Sequence, residues 1–125
     1  MEYAPVTAQV VQYIQERYGA CPEFLWAKSP GNAVFRQKAN QKWFAALLMQ
    51  TPRKRLGLEG ADSVDILDLK CDPLLIGSLL DGKRCLPGYH MNKEHWITLL
   101  LDGSIPLEEV CGLIDMSYGL SCGKG

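Results

Sequence analysis

The stretch KWFAALLMQ, residues 42–50, is a near-continuous apolar run with two aromatic side chains, and the rest of the fold is inferred outward from it. Such a run is typical of a central β-strand, although periodicity alone also allows a short helix. Upstream, EFLWAK (23–28) and NAVFRQ (32–37) are short segments separated by Ser-Pro-Gly, which is a turn signal. Downstream, SVDILDLK (63–70) predicts a further strand. The short connections between these segments predict an antiparallel meander.

The segment between the last two predicted strands, TPRKRLGLEGAD (51–62), contains a proline, two glycines and consecutive basic residues. This composition predicts a projecting loop. The strand that follows it changes phase, because its apolar positions shift from 64 and 66 to 67 and 69, and this shift indicates a β-bulge. We expect three basic side chains near the tip of the loop: Arg53, Lys54 and Arg55.

Three segments have the pattern of helices that pack one apolar stripe on a core. The first is predicted to begin near Thr7, a plausible N-cap, and to end at Gly19. The second, residues 71–83, has Asp72 as a cap, a proline in its first turn and Gly82 at its end. The last opens at Pro106 with two acidic residues in its first turn, where the helix dipole favours them. Its predicted buried stripe consists of Leu107, Val110, Ile114 and Tyr118.

The element order is one helix, three or four strands, one helix, two strands and one helix. It predicts an α+β two-layer sandwich, in which an antiparallel sheet of five or six strands carries helices on one face. The 125 residues suit one domain, 1–125, with 118–125 as a partly frayed tail. The hydrophobic fraction of 47% is normal for a globular core.

Five cysteines are scattered along the chain without a CxxC spacing. An odd number at such spacings does not suggest a disulfide framework, and we expect buried or half-buried free thiols. The N-terminus has an acid at position 2 and no apolar segment of the kind found in secretory signals, and no apolar run is long enough to span a bilayer. We therefore expect a cytoplasmic protein without a membrane partner.

The densest group of functional side chains is GYHMNKEHW, residues 88–96. If strands 86–91 and 94–100 pair around a tight Asn92-Lys93 turn, His90 lies opposite His95 and Tyr89 lies opposite Trp96. Because side chains alternate between faces, the two aromatics would then share one face and anchor the hairpin on the core. The two imidazoles would share the other face, with the Lys93 ammonium at the tip.

These imidazoles could belong to a metal site, a catalytic site or a binding surface. Zinc normally takes three or four protein ligands, and no HxxxH or CxxC spacing adds ligands to the two histidines. A general base needs a nucleophile and an orienting partner, yet no GxSxG motif is present, and GKRC at 82–85 lacks the rest of a P-loop. We therefore expect no metal, no cofactor and no enzymatic activity.

Charge is distributed unevenly along the chain. Its net charge is −1, so the whole protein is not an electrostatic match for DNA. From Lys28 to Leu58, however, seven residues are basic and none is acidic, whereas the next stretch is strongly acidic. One part of the surface is therefore predicted to be positive.

Several segments resemble the MmcQ/YjbR family over nearly the whole chain: VFR with N.KWFA, VDILDLKCDP, PGYHMNKEHWITLLLDGSIP and LIDMSYGL. The resemblance implies an α+β fold similar to frataxin-type (CyaY-like) or secretion-chaperone-like proteins. It also implies DNA binding through a double-wing arrangement, as members of the family are commonly described. The family motif falls on Arg36, Asn40, Lys42, Trp43, Lys70, Tyr89, His90, Met91, Asn92, Lys93, His95 and Trp96.

Two hypotheses follow. In the first, the chain is a non-enzymatic DNA-binding module whose basic strip contacts phosphates. In the second, it binds a small anionic ligand or an acidic protein partner, with Arg36, Lys42, Lys70, His90 and Lys93 lining one pocket. In either case we expect a monomer or weak dimer. The candidate binding residues are Arg36, Lys38, Lys42, Arg53, Lys54, Arg55, Lys70, His90, Asn92, Lys93 and His95.

Overall fold

A computed structural model describes residues 3–122. Its elements, in chain order, are helix α1 (Pro5–Tyr18), strands β1 (Ala33–Arg36) and β2 (Trp43–Pro52), a short 3-10 helix (Arg53–Leu56), strand β3 (Ser63–Lys70), helix α2 (Pro73–Leu79), strands β4 (Cys85–Pro87) and β5 (Trp96–Leu100), and helix α3 (Leu107–Ser121). The strands form one antiparallel five-stranded sheet in the order β1-β2-β3-β5-β4. The predicted α+β fold is confirmed.

Helices α1 and α3 cover one face of the sheet, where the largest apolar side chains are fully buried. Phe44 lies at the centre of this layer, edge-on to Tyr18 and Tyr118, whose rings stack with centroids 3.8 Å apart. The two helices are joined through Asp115, which accepts hydrogen bonds from Tyr13 and Tyr18. Neither α1 nor α3, nor any other helix in residues 3–122, has the length and apolar character needed to cross a membrane.

The start of α1 differs from the prediction. Pro5 occupies the first turn, where its missing N–H is no loss, and Ala4 is the N-cap without a side-chain hydrogen bond. Thr7 is inside the helix and fully buried, and its hydroxyl donates to Asp65 at 2.6 Å. Its polar group is therefore satisfied across the molecule rather than by capping. Gly19 ends the helix with a φ of 64°, as predicted.

Two details of the predicted meander are wrong. Residues 23–28 do not form a strand, because this run of exposed side chains has no buried face; only Glu23 makes a bridge, to Val34. The predicted bulge lies in β2 and not in β3, since two steps along β3 match three steps along β2 between Leu48 and Thr51. Gln50, at this bulge, has a φ of 52°.

Local hydrogen bonds determine both ends of α2, and its C-terminal end differs from the prediction. Asp72 caps α2 as predicted, because its carboxylate accepts the Leu74 N–H at 2.9 Å. The helix stops at Leu79, before Gly82, where the Asp81 carboxylate accepts consecutive backbone N–H groups and forms a turn instead.

The tail predicted to be frayed, 118–125, overlaps the end of α3. The helix continues through Tyr118 to Ser121, which is buried, and residues 123–125 lie outside the described part. In the predicted stripe, Val110 and Ile114 are buried, whereas Leu107 is 37% exposed. Of the cysteines, Cys71 and Cys85 are buried, but Cys21 and Cys122 are exposed, contrary to expectation.

Candidate functional site

In residues 3–122 the second face of the sheet carries no α-helix; loops and the short 3-10 helix cover it, and we call it the loop-covered face. A row of five paired residues crosses it from β1 to β4: Val34, Ala46, Asp68, Thr98 and Leu86. A small apolar cluster of Val64, Ile66, Leu86 and Leu100 packs beside this row. Asp68 is therefore an ionisable side chain in an otherwise uncharged row.

Asp68 is fully buried and only half satisfied. The Thr98 hydroxyl donates to its Oδ1, and the Thr98 oxygen accepts the Tyr89 N–H at 2.8 Å. Its Oδ2 has no hydrogen-bond partner within residues 3–122. Desolvation raises the pKa of Asp68 to about 7, although the bond from Thr98 and the charge of Lys93 act in the opposite direction.

A cavity of about 520 Å³ lies over this carboxyl group, and we call it the aromatic cavity. Trp26 and Trp43 form part of its wall, with their rings edge to face at 6.1 Å, and Tyr89 and Met91 contribute from the 88–95 segment. The exposed side chains of Arg55 and His90 also line it. The cavity thus combines aromatic and polar lining residues, a buried acid, and a guanidinium and an imidazole near solvent.

The predicted tight hairpin is wrong in both length and register. Strand β4 ends at Pro87 and β5 begins at Trp96, so residues 88–95 form an irregular connection. Leu86 lies opposite Thr98, which is one residue away from the expected register. The ladder stops because Asn92 forms its own local turn: its side chain accepts the Glu94 N–H at 2.9 Å and its carbonyl accepts the His95 N–H.

This geometry separates the two histidines. His90 lines the aromatic cavity with a left-handed backbone, φ 61°, and its ring lies 4.0 Å from that of Tyr89. His95 lines a different depression. The predicted pairing of His90 with His95, and of Tyr89 with Trp96, does not occur, because alternation of faces holds only while the chain is a strand.

The second depression, of about 530 Å³, is lined by Lys42, Lys70, Asn92, His95 and Trp96, and we call it the lysine groove. Lys42 precedes β2, Lys70 ends β3 and Trp96 begins β5. Antiparallel pairing brings these strand ends together at one end of the sheet. Asp72 also lines the groove, where its carboxylate caps α2. The groove gathers four of the predicted binding residues.

The Lys70 ammonium is the most constrained cation of the groove. It lies 5.8 Å from the centroid of the Trp96 ring, a cation–π distance. Desolvation and the nearby charge of Lys42 both lower the pKa of Lys70. Within the described part of the chain, neither lysine takes part in a salt bridge. An anion placed between them would offset their mutual repulsion.

The remaining basic residues do not form one continuous strip. Arg36 pairs with Glu23 at 3.2 Å and Arg53 pairs with Asp62 at 3.1 Å, so their charges are already compensated. Arg53 also approaches Asp102, and Lys38 lies beside Gly19 at the end of α1.

The predicted positions of two other basic groups are also corrected. The Lys93 ammonium does not project from a hairpin tip, because it donates to the Gly88 carbonyl at 3.1 Å. The predicted single pocket of Arg36, Lys42, Lys70, His90 and Lys93 is likewise wrong. Lys42 and Lys70 line the groove, and His90 lines the cavity. Lys54 and Arg55 are exposed as expected, on a 3-10 helix.

Three residues at or beside the aromatic cavity are not among the site residues predicted from the sequence. Trp26, which lines the cavity, is predicted to lie in a strand that does not form, and Thr98, which donates to Asp68, is predicted only as part of the last strand. The sequence does contain an indication of the burial of Asp68. In SVDILDLK its neighbours are apolar on both faces of the strand, so an acid at this position is expected to be buried.

Comparisons with known proteins place the chain in a family. The YjbR family model matches residues 15–120. The uncharacterized protein YyaQ of Bacillus subtilis is 40% identical over 112 residues, which cover 90% of this chain and 94% of the relative. YjbR of Escherichia coli K12 is 50% identical over 32 residues, 26% of this chain and 27% of the relative.

Solved structures agree with this assignment. A crystal structure of a Pseudomonas syringae protein is 44% identical and superimposes with a TM-score of 0.87, covering 91% of this chain and 97% of that one. A Deinococcus radiodurans protein with a DUF419 domain is 27% identical with a TM-score of 0.73, covering 95% and 80% of the two chains. From the matched residues and the shared fold, the chain belongs to the YjbR family.

Proposed function

We propose that this protein acts by binding rather than by catalysis, and that it contacts the phosphate backbone of DNA through the lysine groove. The observation that carries the proposal is the pairing of Lys42 and Lys70 around one groove without a salt-bridge partner in the described residues. Two neighbouring ammonium groups favour an anion, because neither forms a salt bridge among the described residues, and the Asp72 carboxylate of the same groove is engaged in capping α2.

The other groups of the groove support a phosphate as the anion. Asn92 and His95 supply hydrogen-bond donors of the kind that orient a backbone phosphate. Lys54, Arg55 and Lys93 are proposed as further contacts, although Lys93 would first have to release the Gly88 carbonyl.

The charge distribution predicts modest affinity. The net charge is −1, and the ion pairs of Arg36 and Arg53 leave these side chains less available to DNA. We therefore expect few phosphate contacts, a shallow salt dependence and no strong sequence preference, since sequence is read by contacts to base edges.

A salt titration of duplex DNA binding tests the proposal. The double variant Lys42→Ala/Lys70→Ala should weaken binding and reduce the slope of log K against log salt by about 2, because each lost phosphate contact removes about 1. The control Lys28→Ala/Lys83→Ala removes the same charge from exposed lysines that do not line the groove. A DNA affinity that does not change with salt concentration, or an equal loss of affinity in the control variant, would refute the DNA contact.

A small anionic ligand is the second candidate, and the size of the groove favours it. About 530 Å³ is within the range of roughly 300–1,000 Å³ that is typical of small-molecule sites. Calorimetric titration with pyrophosphate separates the two functions. Saturable binding that is lost in Lys42→Ala/Lys70→Ala, together with no binding of DNA, would select the small anion.

A further inference from the structure

The aromatic cavity contains a buried hydrogen-bond acceptor that the proposed DNA contacts do not use. Thr98 has one hydroxyl hydrogen, which it directs to Asp68 Oδ1, while its oxygen is occupied by the Tyr89 N–H. Asp68 Oδ2 is left without a partner among residues 3–122, and its atom is buried. Buried carboxylate oxygens are normally satisfied, so the ionised form of Asp68 calls for a donor that arrives from outside the chain.

The nearest cation does not fill this role. The Lys93 ammonium is close enough to influence the charge on Asp68, but its hydrogen bond goes to the Gly88 carbonyl. Arg55 and His90 line the same cavity and are exposed. A positively charged ligand would therefore meet Arg55 on entering, and a neutral donor is better suited.

The walls restrict the shape of the ligand. Trp26 and Trp43 present indole rings to the cavity, and Tyr89 adds a phenol ring. Arg36 lies 5.9 Å from the centroid of the Trp43 ring, which leaves Trp26 as the less constrained platform. Aromatic walls favour a flat aromatic ligand through stacking and edge-to-face contacts.

We propose that the aromatic cavity binds a flat, uncharged heteroaromatic ligand that donates a ring N–H to Asp68 Oδ2. The cavity volume of about 520 Å³ accommodates a ligand of this kind. Asp68 is fully shielded from solvent, so the ligand edge reaches it by displacing loop residues. Tyr89, His90 and Met91 line the cavity outside any helix or strand, and the proposal requires them to shift when the ligand enters. This site does not depend on the lysine groove.

A matched pair of ligands tests the hydrogen bond. Benzimidazole has a ring N–H, whereas 1-methylbenzimidazole has the same ring without it, and both are largely uncharged at pH 8. We expect benzimidazole to bind at least tenfold more tightly in an NMR chemical-shift titration of the whole chain, as for a hydrogen bond to a charged group. In Asp68→Asn, which keeps the shape but replaces Oδ2 by a donor, the two ligands should bind within about twofold of each other.

A second pair of variants tests the cavity wall without touching Asp68. Trp26→Ala should weaken benzimidazole binding several-fold, whereas Phe24→Ala, an exposed residue of the same segment that does not line the cavity, should not. Absence of saturable binding to the wild type would overturn the proposal. So would tighter binding of cationic benzamidine, or an unchanged preference for benzimidazole in Asp68→Asn.

Discussion

The two faces of the sheet bury their residues by different means. Under α1 and α3, buried polar side chains of the described residues have partners: the Ser117 hydroxyl, for example, donates to the Phe44 carbonyl and accepts the Lys70 N–H at 2.8 Å. Across the sheet, loops cover a smaller apolar cluster, and Asp68 keeps an unpartnered oxygen. The helix-covered face is built for stability, and the loop-covered face carries the features of a site.

The difference between the two faces arises from the kind of structure that packs on each, helices on one and loops on the other. A helix satisfies its own backbone and presents a continuous apolar stripe, so it fills the space over a sheet closely. Loops have irregular backbones and leave concave spaces, and for that reason binding groups concentrate on them. In this protein the 88–95 segment contributes to both the aromatic cavity and the lysine groove.

The largest expected effect comes from two adjacent leucines of β5. Leu99 packs under the helices and Leu100 under the loops, and both are almost completely buried. Leu99→Ala should cost about 3–5 kcal/mol and Leu100→Ala about 2–3 kcal/mol, because a loop can collapse into a new space more easily than a helix. Urea denaturation measures both, and equal losses would show that the two faces are packed equally well.

The next effect concerns the buried acid. Its folded pKa of about 7 lies above the value of about 3.9 in an unfolded chain, so the folded state binds the proton more tightly. The stability that this proton provides is present below about pH 4 and is lost as the pH rises through about 7. Asp68→Asn cannot ionise and therefore does not lose this stability. The free energy of unfolding of the variant minus that of the wild type should be about 2–4 kcal/mol larger at pH 8 than at pH 4.

Denaturation curves measured between pH 4 and pH 8 test this expectation. The pKa of Asp81 is lowered, because the backbone N–H groups of Cys85, Arg84 and Lys83 donate to its carboxylate, so it titrates below this window. If the wild type and Asp68→Asn change in parallel between pH 4 and pH 8, the buried acid does not control the loop-covered face.

The smallest expected effect is at His90, whose left-handed backbone is unfavourable for a residue with a Cβ. His90→Gly should stabilise the protein by about 0.5–1 kcal/mol, because relief of strain exceeds the added entropy of the unfolded chain. His90→Ala keeps the strain while removing the imidazole, so it should give no gain. Thermal unfolding of the two variants distinguishes backbone strain from side-chain contacts.

Helices and strands could be predicted from the sequence where neighbouring residues alone determine the local structure. The apolar run 42–50, the cap at Asp72 and the stop at Gly19 each depend on neighbouring residues, and each is found as expected. The hairpin could not be predicted, because Asn92 accepts the backbone N–H groups of Glu94 and His95 in a local turn, and the ladder ends early. Gly88 also approaches the second strand closely, where a Cβ would lie 2.8 Å from that of Trp96.

The candidate site was harder to predict than the fold. Local charge predicts Lys42 and Lys70 as candidates, and the two line one groove, but it gives no indication that Arg36 and Arg53 are paired with distant acids. Asp68 was overlooked because one acid in a strand usually faces water. Its burial depends on β5 and on the 88–95 segment, which lie far along the chain.

The positions of the tryptophans make intrinsic fluorescence a probe of both concavities. Each of the three indoles in the chain borders one of the two concavities: Trp26 and Trp43 the aromatic cavity, and Trp96 the lysine groove. Indole emission shifts in colour and intensity with local polarity, so occupation of either concavity changes the fluorescence of the unlabelled protein. Replacing Trp96 with Phe would leave emission from the cavity alone, and occupancy of the two concavities could then be followed separately.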